Sequence, residues 1–171
     1  VYDIARCNEF QWFITWTLNK EKIDRYDPQQ VSRKLKKFLN NSVTRHDARY
    51  IVVPEYHKDG AIHMHGLLAG NFELVPFKSL SDGRMVYNMP QWSFGYSTAI
   101  DLDNQHDRVA SYITKYVEKD FRKIFGSFYY AGGHGLVRSP EIQLYDSDYD
   151  QFDLKEYGKC DTWYKYLDVI E

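Results

Sequence analysis

His63-Met64-His65 sets two imidazoles two residues apart. A β-strand turns residues i and i+2 to the same face, so both rings can reach one divalent ion. Ile62 and Met64 alternate with them and would pack into a core. Further along, Tyr112-Ile113-Thr114-Lys115-Tyr116-Val117-Glu118-Lys119 holds two tyrosines one helical turn apart, with Lys115 and Lys119 each three residues beyond a tyrosine. Either pattern alone has a plain structural reading: a strand histidine pair can be surface or core, and an i, i+4 tyrosine pair can be a packed helix face. Together, in this order and behind an aromatic strand, they point to a metal-assisted tyrosine nucleophile acting on nucleic acid.

The turn before His63 decides whether a third ligand exists. A two-residue Asp59-Gly60 turn sets Glu55 opposite Met64, on the wrong face. A three-residue Lys58-Asp59-Gly60 turn, with Gly60 in the left-handed position of a bulge, pairs His57 with Ala61 and sets Glu55 opposite His63. The longer turn is favoured, and it predicts Glu55, His63 and His65 as one ligand set. One carboxylate with two imidazoles accommodates Mn²⁺, Mg²⁺ or a transition metal, with imidazole favouring manganese over magnesium in affinity. His57 shares that face as a competing ligand, although an exposed histidine beside a turn is its simpler reading. His46, His106 and His134 have no partner at ligand spacing.

On a helix, Tyr112 and Tyr116 stand about 5–6 Å apart at Cβ, so one active site can use either. A free phenol has a pKa of about 10 and is a poor nucleophile at neutral pH. A lysine ammonium nearby and a metal polarising the phosphate lower the barrier by stabilising phenolate and developing phosphorane charge. Lys115 and Lys119 lie close enough on the helix surface to help.

These side chains need strands and a helix to hold them. Phe10 to Leu18 is aromatic and β-branched and reads as a strand. Asp27-Pro28 reads as an N-cap and first helical position of a helix to about Asn40, burying Val31, Leu35, Phe38 and Leu39. Ala48 to Glu55 and Ile62 to Ala69 read as a hairpin. Residues 70 to 92 hold glycine, two prolines and no clear period, which predicts a long loop with at most one short strand. Phe94 to Leu102 reads as a fourth strand, Asp103-Asn104 as the start of a helix reaching about Asp120, and Phe128-Tyr129-Tyr130 as a further strand before a Gly-Gly-His-Gly turn at 132 to 135. This order is not the alternation of a doubly wound fold. It predicts an α+β domain with a mainly antiparallel sheet covered by helices.

At 171 residues the chain is expected to be a single domain, 1–171, able to bury a core without staples. It opens Val1-Tyr2-Asp3 without methionine, the expected mark of an excised domain or processed product with a flank missing. Cys7 and Cys160 lie far apart without zinc spacing, so a reducing compartment is the default. No apolar run reaches membrane length and no signal peptide is visible, which predicts no membrane partner and a cytoplasmic location, that of a host cell if the chain is phage- or plasmid-encoded. A net charge of −2 argues against strong nonspecific duplex binding. The charge is uneven: basic residues dominate from Lys20 to Arg49, with Arg33, Lys34, Lys36 and Lys37 on one helix, and acidic ones from Glu141 onward. Aromatics at 17% suit a single-strand groove as well as an aromatic sheet core.

Phe13-Ile14-Thr15-Trp16-Thr17-Leu18, His63-Met64-His65-Gly66-Leu67-Leu68 and Tyr112 to Lys119 resemble, in order, the three motifs of the HUH endonucleases that initiate rolling-circle replication. The paired tyrosines are most similar to initiators of microviruses and related single-stranded DNA phages, while Tyr116 to Asp120 also resembles the Tyr-x-x-Lys-Asp form of eukaryotic virus initiators. The resemblance spans roughly residues 10 to 120. It implies an antiparallel sheet of about five strands with the His-x-His on a central strand, and Glu55 as the third metal ligand. It further implies nicking and joining of single-stranded or hairpin origin DNA through a 5′-phosphotyrosine, a free 3′-OH for synthesis, and a host helicase and polymerase as partners. A transposase of the same chemistry is the nearest alternative. A noncatalytic single-strand binding module with a structural metal is the alternative from another class.

Overall fold

In the computed structural model, which describes residues 1–103, 106–119 and 123–140, a short helix α1 (Tyr2–Arg6) precedes strand β1 (Trp12–Trp16) and the long helix α2 (Pro28–His46). The hairpin β2 (Arg49–Tyr56) and β3 (Ile62–Ala69) follows, then β4 (Val75–Ser79), β5 (Met85–Asn88), β6 (Ser97–Asp101), α3 (His106–Lys119) and β7 (Tyr130–Gly132). The strands form one antiparallel sheet in the order β4-β5-β6-β1-β3-β2-β7. The α+β class expected from the sequence is therefore what the chain adopts, with seven strands among the described residues where about five were expected. Val1–Pro140 form one unit. Residues 141–171, with the acidic run from Glu141 and Cys160, lie outside the described residues.

Topology puts the His-x-His strand at the centre. The chain leaves β1, crosses over through α2, and returns as β2; β3 then folds back by a hairpin and fits between them, paired on both sides. Side-chain alternation sorts the two faces. Ile14, Trp16, Val52, Met64 and Leu68 meet Val31, Leu35 and Leu39 of α2 in one buried cluster. Ile51, Val53 and Leu67 face the other way, onto Ile4 and Ala5 of α1 and Ala110 and Ile113 of α3. His63 and His65 belong to this second face, and the basic run of α2 is carried on the opposite layer.

Helix α2 starts where the sequence predicts, with the Asp27 carboxylate accepting from the Gln29 and Gln30 amides and Pro28 in the first turn. It continues past Asn40 to His46. Ser42 and Thr44 turn their hydroxyls back onto the carbonyls of Phe38 and Asn40, and Asp47 closes the helix in the left-handed region at φ 50°.

The stretch 70–92 departs from the expected loop by forming the hairpin β4–β5. Every residue of β4 is exposed, it contains Pro76, and its register shifts by a bulge between Pro76 and Lys78, so it lacks the alternation that marks a half-buried strand. The last strand begins at Tyr130, later than Phe128, and takes in Gly132, whose open side lies against the Tyr50 ring.

Gly66, between His65 and Leu67, is where β3 comes closest to its neighbours: an added Cβ would lie 2.5 Å from the Ile51 carbonyl oxygen and 3.3 Å from Ile14. Gly66→Ala is expected to destabilise the domain by about 1–3 kcal/mol or more, as overpacking of a rigid sheet does, and chemical denaturation measures it. An unchanged denaturation midpoint would show that β3 has slack.

Candidate active site

The hairpin that carries the ligands closes with the longer of the two turns. His57 N–H donates to the Ala61 carbonyl at 2.8 Å, Gly60 N–H donates to the His57 carbonyl at 2.8 Å, and Gly60 adopts φ 83°. Tyr56 then pairs with Ile62 and Glu55 with His63. Glu55 is only 4% exposed, on a strand whose neighbours are apolar. A carboxylate this buried needs partners. Its Oε2 lies 3.2 Å from Nε2 of His63 and 3.2 Å from Nε2 of His65. The three donor atoms all lie within 4.8 Å of one another, a span that lets each contact one ion at the usual ~2.0–2.6 Å. The chemistry of this donor set fits a divalent cation, and its hard oxygen beside two imidazoles does not select one metal.

Thr15 is a residue that strand alternation alone did not single out. It pairs with His65 across β1 and β3, and its Oγ1 lies 3.1 Å from His65 Nδ1. That contact fixes the ring so that Nε2 faces Glu55. The signal was present in Phe13-Ile14-Thr15-Trp16-Thr17, where polar residues alternate with apolar ones, but the register of β1 on β3 is set by distant residues. Phe13 is a second addition: its ring stands 6.1 Å from His65, 5.1 Å from Tyr112 and 6.2 Å from Tyr116, forming the floor between the two halves of the site.

Helix α3 brings both tyrosines to this floor because Ala110 and Ile113 bury against the sheet and turn the Tyr112–Tyr116 edge towards β1 and β3. The Tyr116 ring stacks on His65 at 4.0 Å. The two phenol oxygens are hydrogen bonded at 2.8 Å. Burial first, then the hydrogen bond to Tyr112 and the charges of Tyr112 and Glu55, hold the Tyr116 phenol well above its ordinary pKa.

Tyr112 is 44% exposed and, with Lys115, Phe13, Ile100 and Arg84, lines a cleft of about 930 Å³. Lys115 thus shares a cleft with one tyrosine. The side chain of Lys119 lies outside the described residues. His57 is more than half exposed and holds Asp59 Oδ1 through Nδ1 at 3.2 Å, as a turn residue does. His46 stacks on Phe72, away from the cluster, and the side chain of His106 is not among those described.

No helix among the described residues is long and apolar enough to cross a membrane. No curated protein and no solved structure matches the chain. One family model does, that of the replication-associated protein ORF2, over residues 11–121. The match runs from β1 through both histidines and Glu55 to both tyrosines. It takes in well over half of the 171 residues, and the chain belongs to this family of replication-associated proteins.

Proposed function

We propose that the protein is an HUH endonuclease that nicks and rejoins single-stranded origin DNA to initiate rolling-circle replication. The observation that carries this reading is the contact between its two halves: a hydrogen-bonded tyrosine pair, one ring of which stacks on a histidine of the Glu55-His63-His65 cluster. A packed helix face explains two tyrosines. It does not explain phenol oxygens gathered beside a buried carboxylate and two imidazoles.

In this reading a tyrosine oxygen attacks the phosphorus of a single-stranded phosphodiester, the phosphorus–3′-oxygen bond breaks, and the chain keeps the 5′ side as a phosphotyrosine. The phenol proton is given up to solvent or to the partner tyrosine, and the departing 3′-oxygen takes one to leave a 3′-OH that a polymerase can extend. The second tyrosine attacks a later phosphodiester while the first is occupied, so one chain can cut and rejoin. Lys115 contributes positive charge on the cleft wall, where phosphate charge develops. A divalent cation held by Glu55, His63 and His65, Mn²⁺ or Mg²⁺, supplies positive charge beside the phosphodiester and offsets the Glu55 charge that opposes a phenolate on Tyr116.

The test is incubation with single-stranded oligonucleotides of the candidate origin and Mn²⁺, followed by a denaturing gel. A band shifted by covalently attached DNA is expected. DNA that always dissociates on denaturation would reduce the protein to a binding module. Unpaired DNA should bind more tightly than duplex of the same sequence, since stacking needs free bases and the net charge of −2 gives little duplex affinity. Equal affinity for both forms contradicts this.

Thr15→Val keeps the shape of the side chain and removes the hydroxyl that orients His65. Metal affinity is expected to fall about 10–100-fold, the usual cost of losing such a partner, as read by calorimetric titration with Mn²⁺. An unchanged affinity would show that packing against Phe13 and Tyr116 alone sets the ring.

A further inference from the structure

We propose that Tyr96 is a stacking platform for a nucleobase next to the scissile phosphate, at the rim of the Glu55-His63-His65 cluster. This deepens the nicking reading and rests on it. Tyr96 is 78% exposed, the most exposed of the large apolar and aromatic side chains among the described residues. Its backbone, by contrast, is tightly held. The Thr17 N–H and Oγ1–H both donate to the Tyr96 carbonyl, at 2.9 and 3.2 Å. Thr17 is itself fixed by the Trp92 indole, which donates to its carbonyl at 3.0 Å. Gly95 lets the chain approach this closely, since a Cβ there would collide with the Thr17 carbonyl. A rigid backbone presenting a bare aromatic ring forgoes burial that such a ring would normally gain.

Register says where that ring stands. Thr15 pairs with His65 on one side and with Thr98 on the other. One step of two residues along the strands, Thr17 falls beside His63 and, through its bond to the Tyr96 carbonyl, beside Tyr96. Ser97 turns its hydroxyl to Met89 on the α2 side, so alternation turns Tyr96 to the side of the histidines. Glu55, His63, Thr17 and Tyr96 therefore form one row across β2, β3, β1 and the start of β6. Two inter-strand spacings, roughly 10 Å at the backbone, separate Tyr96 from His63. A phosphate at the cluster would place a neighbouring nucleotide over this part of the sheet. A planar base is the occupant that suits an exposed ring with threonine neighbours, because stacking needs only a π-face.

Equilibrium binding tests this without divalent ion, so that covalent chemistry plays no part. The probes are oligothymidylate of about twenty nucleotides, longer than a typical single-domain site, and a sugar-phosphate strand of equal length made of abasic units. Tyr96→Ala is expected to weaken oligothymidylate binding roughly 5- to 150-fold, the usual worth of one stacked base, and to leave the abasic strand's affinity unchanged. Tyr96→Trp should keep the preference for bases. Equal losses on both probes, or no loss on either, overturn the proposal. A fall in melting temperature for Tyr96→Ala that Tyr96→Trp also shows, with no change in base preference, would mark the ring as structural and overturn it too. If the wild-type chain never forms a covalent adduct but Tyr96→Ala still loses its base preference, the nicking reading fails and the platform stands. If adducts form and the preference is unmoved, only the platform fails.

Discussion

Replacing Tyr112 and Tyr116 together by phenylalanine is expected to abolish covalent attachment to DNA while the protein remains folded. Phenylalanine keeps the rings that pack on Phe13 and His65 and removes only the two oxygens that meet at 2.8 Å. Losing that hydrogen bond costs about 0.5–1.5 kcal/mol of stability, a small part of a domain's total. Removing both nucleophiles of a covalent mechanism leaves no route to the intermediate. Each single variant should keep some cleavage or lose mainly the rejoining step, since either hydroxyl can reach the same phosphate. Mass spectrometry of the trapped product should find DNA on one of the two residues. An adduct on another residue, or attachment by the double variant, removes the nucleophile assignment.

What the sequence revealed about this site follows from how local each determinant is. Strand β3 and its turn could be read because the period of two, the position of Gly60 and the spacing from Glu55 all lie within a dozen or so residues. The tyrosine spacing was legible for the same reason: a helix fixes i and i+4 without help. Thr15, Phe13 and Tyr96 were not, because their meaning depends on β1 lying between β3 and β6. That pairing is decided by contacts about fifty residues apart in the chain for Thr15 and His65. The hairpin β4–β5 escaped for a different reason. An exposed edge with a proline and a bulge carries no burial pattern to read, and edge strands favour such features because they discourage pairing with other chains. The basic run of α2 shows the opposite error of emphasis: its charge is plain in the sequence, but the helix packs on the face away from the histidines.

The second large effect concerns the metal. Adding Mn²⁺ to the wild-type chain at about one hundred times its dissociation constant should stabilise the fold by about 2.7 kcal/mol, because the ion binds the folded hairpin and not the open chain. For a domain of this size that is a rise of roughly 5–10 °C in melting temperature. Replacing His63 and His65 together by alanine should remove the rise entirely, since Glu55 alone offers one ligand where the wild type gathers three. Both histidines are partly exposed and lie outside the buried clusters, so the substitution leaves the packing of Met64 and Leu67 in place. Covalent attachment to DNA should fall by about 10²–10³-fold or more, and chelation of the ion from the wild-type protein should reproduce the loss reversibly. The two readouts divide the possibilities. A melting shift that disappears while cleavage persists at the wild-type rate would make the ion structural. Cleavage lost with the shift intact would place the ion elsewhere in the chain.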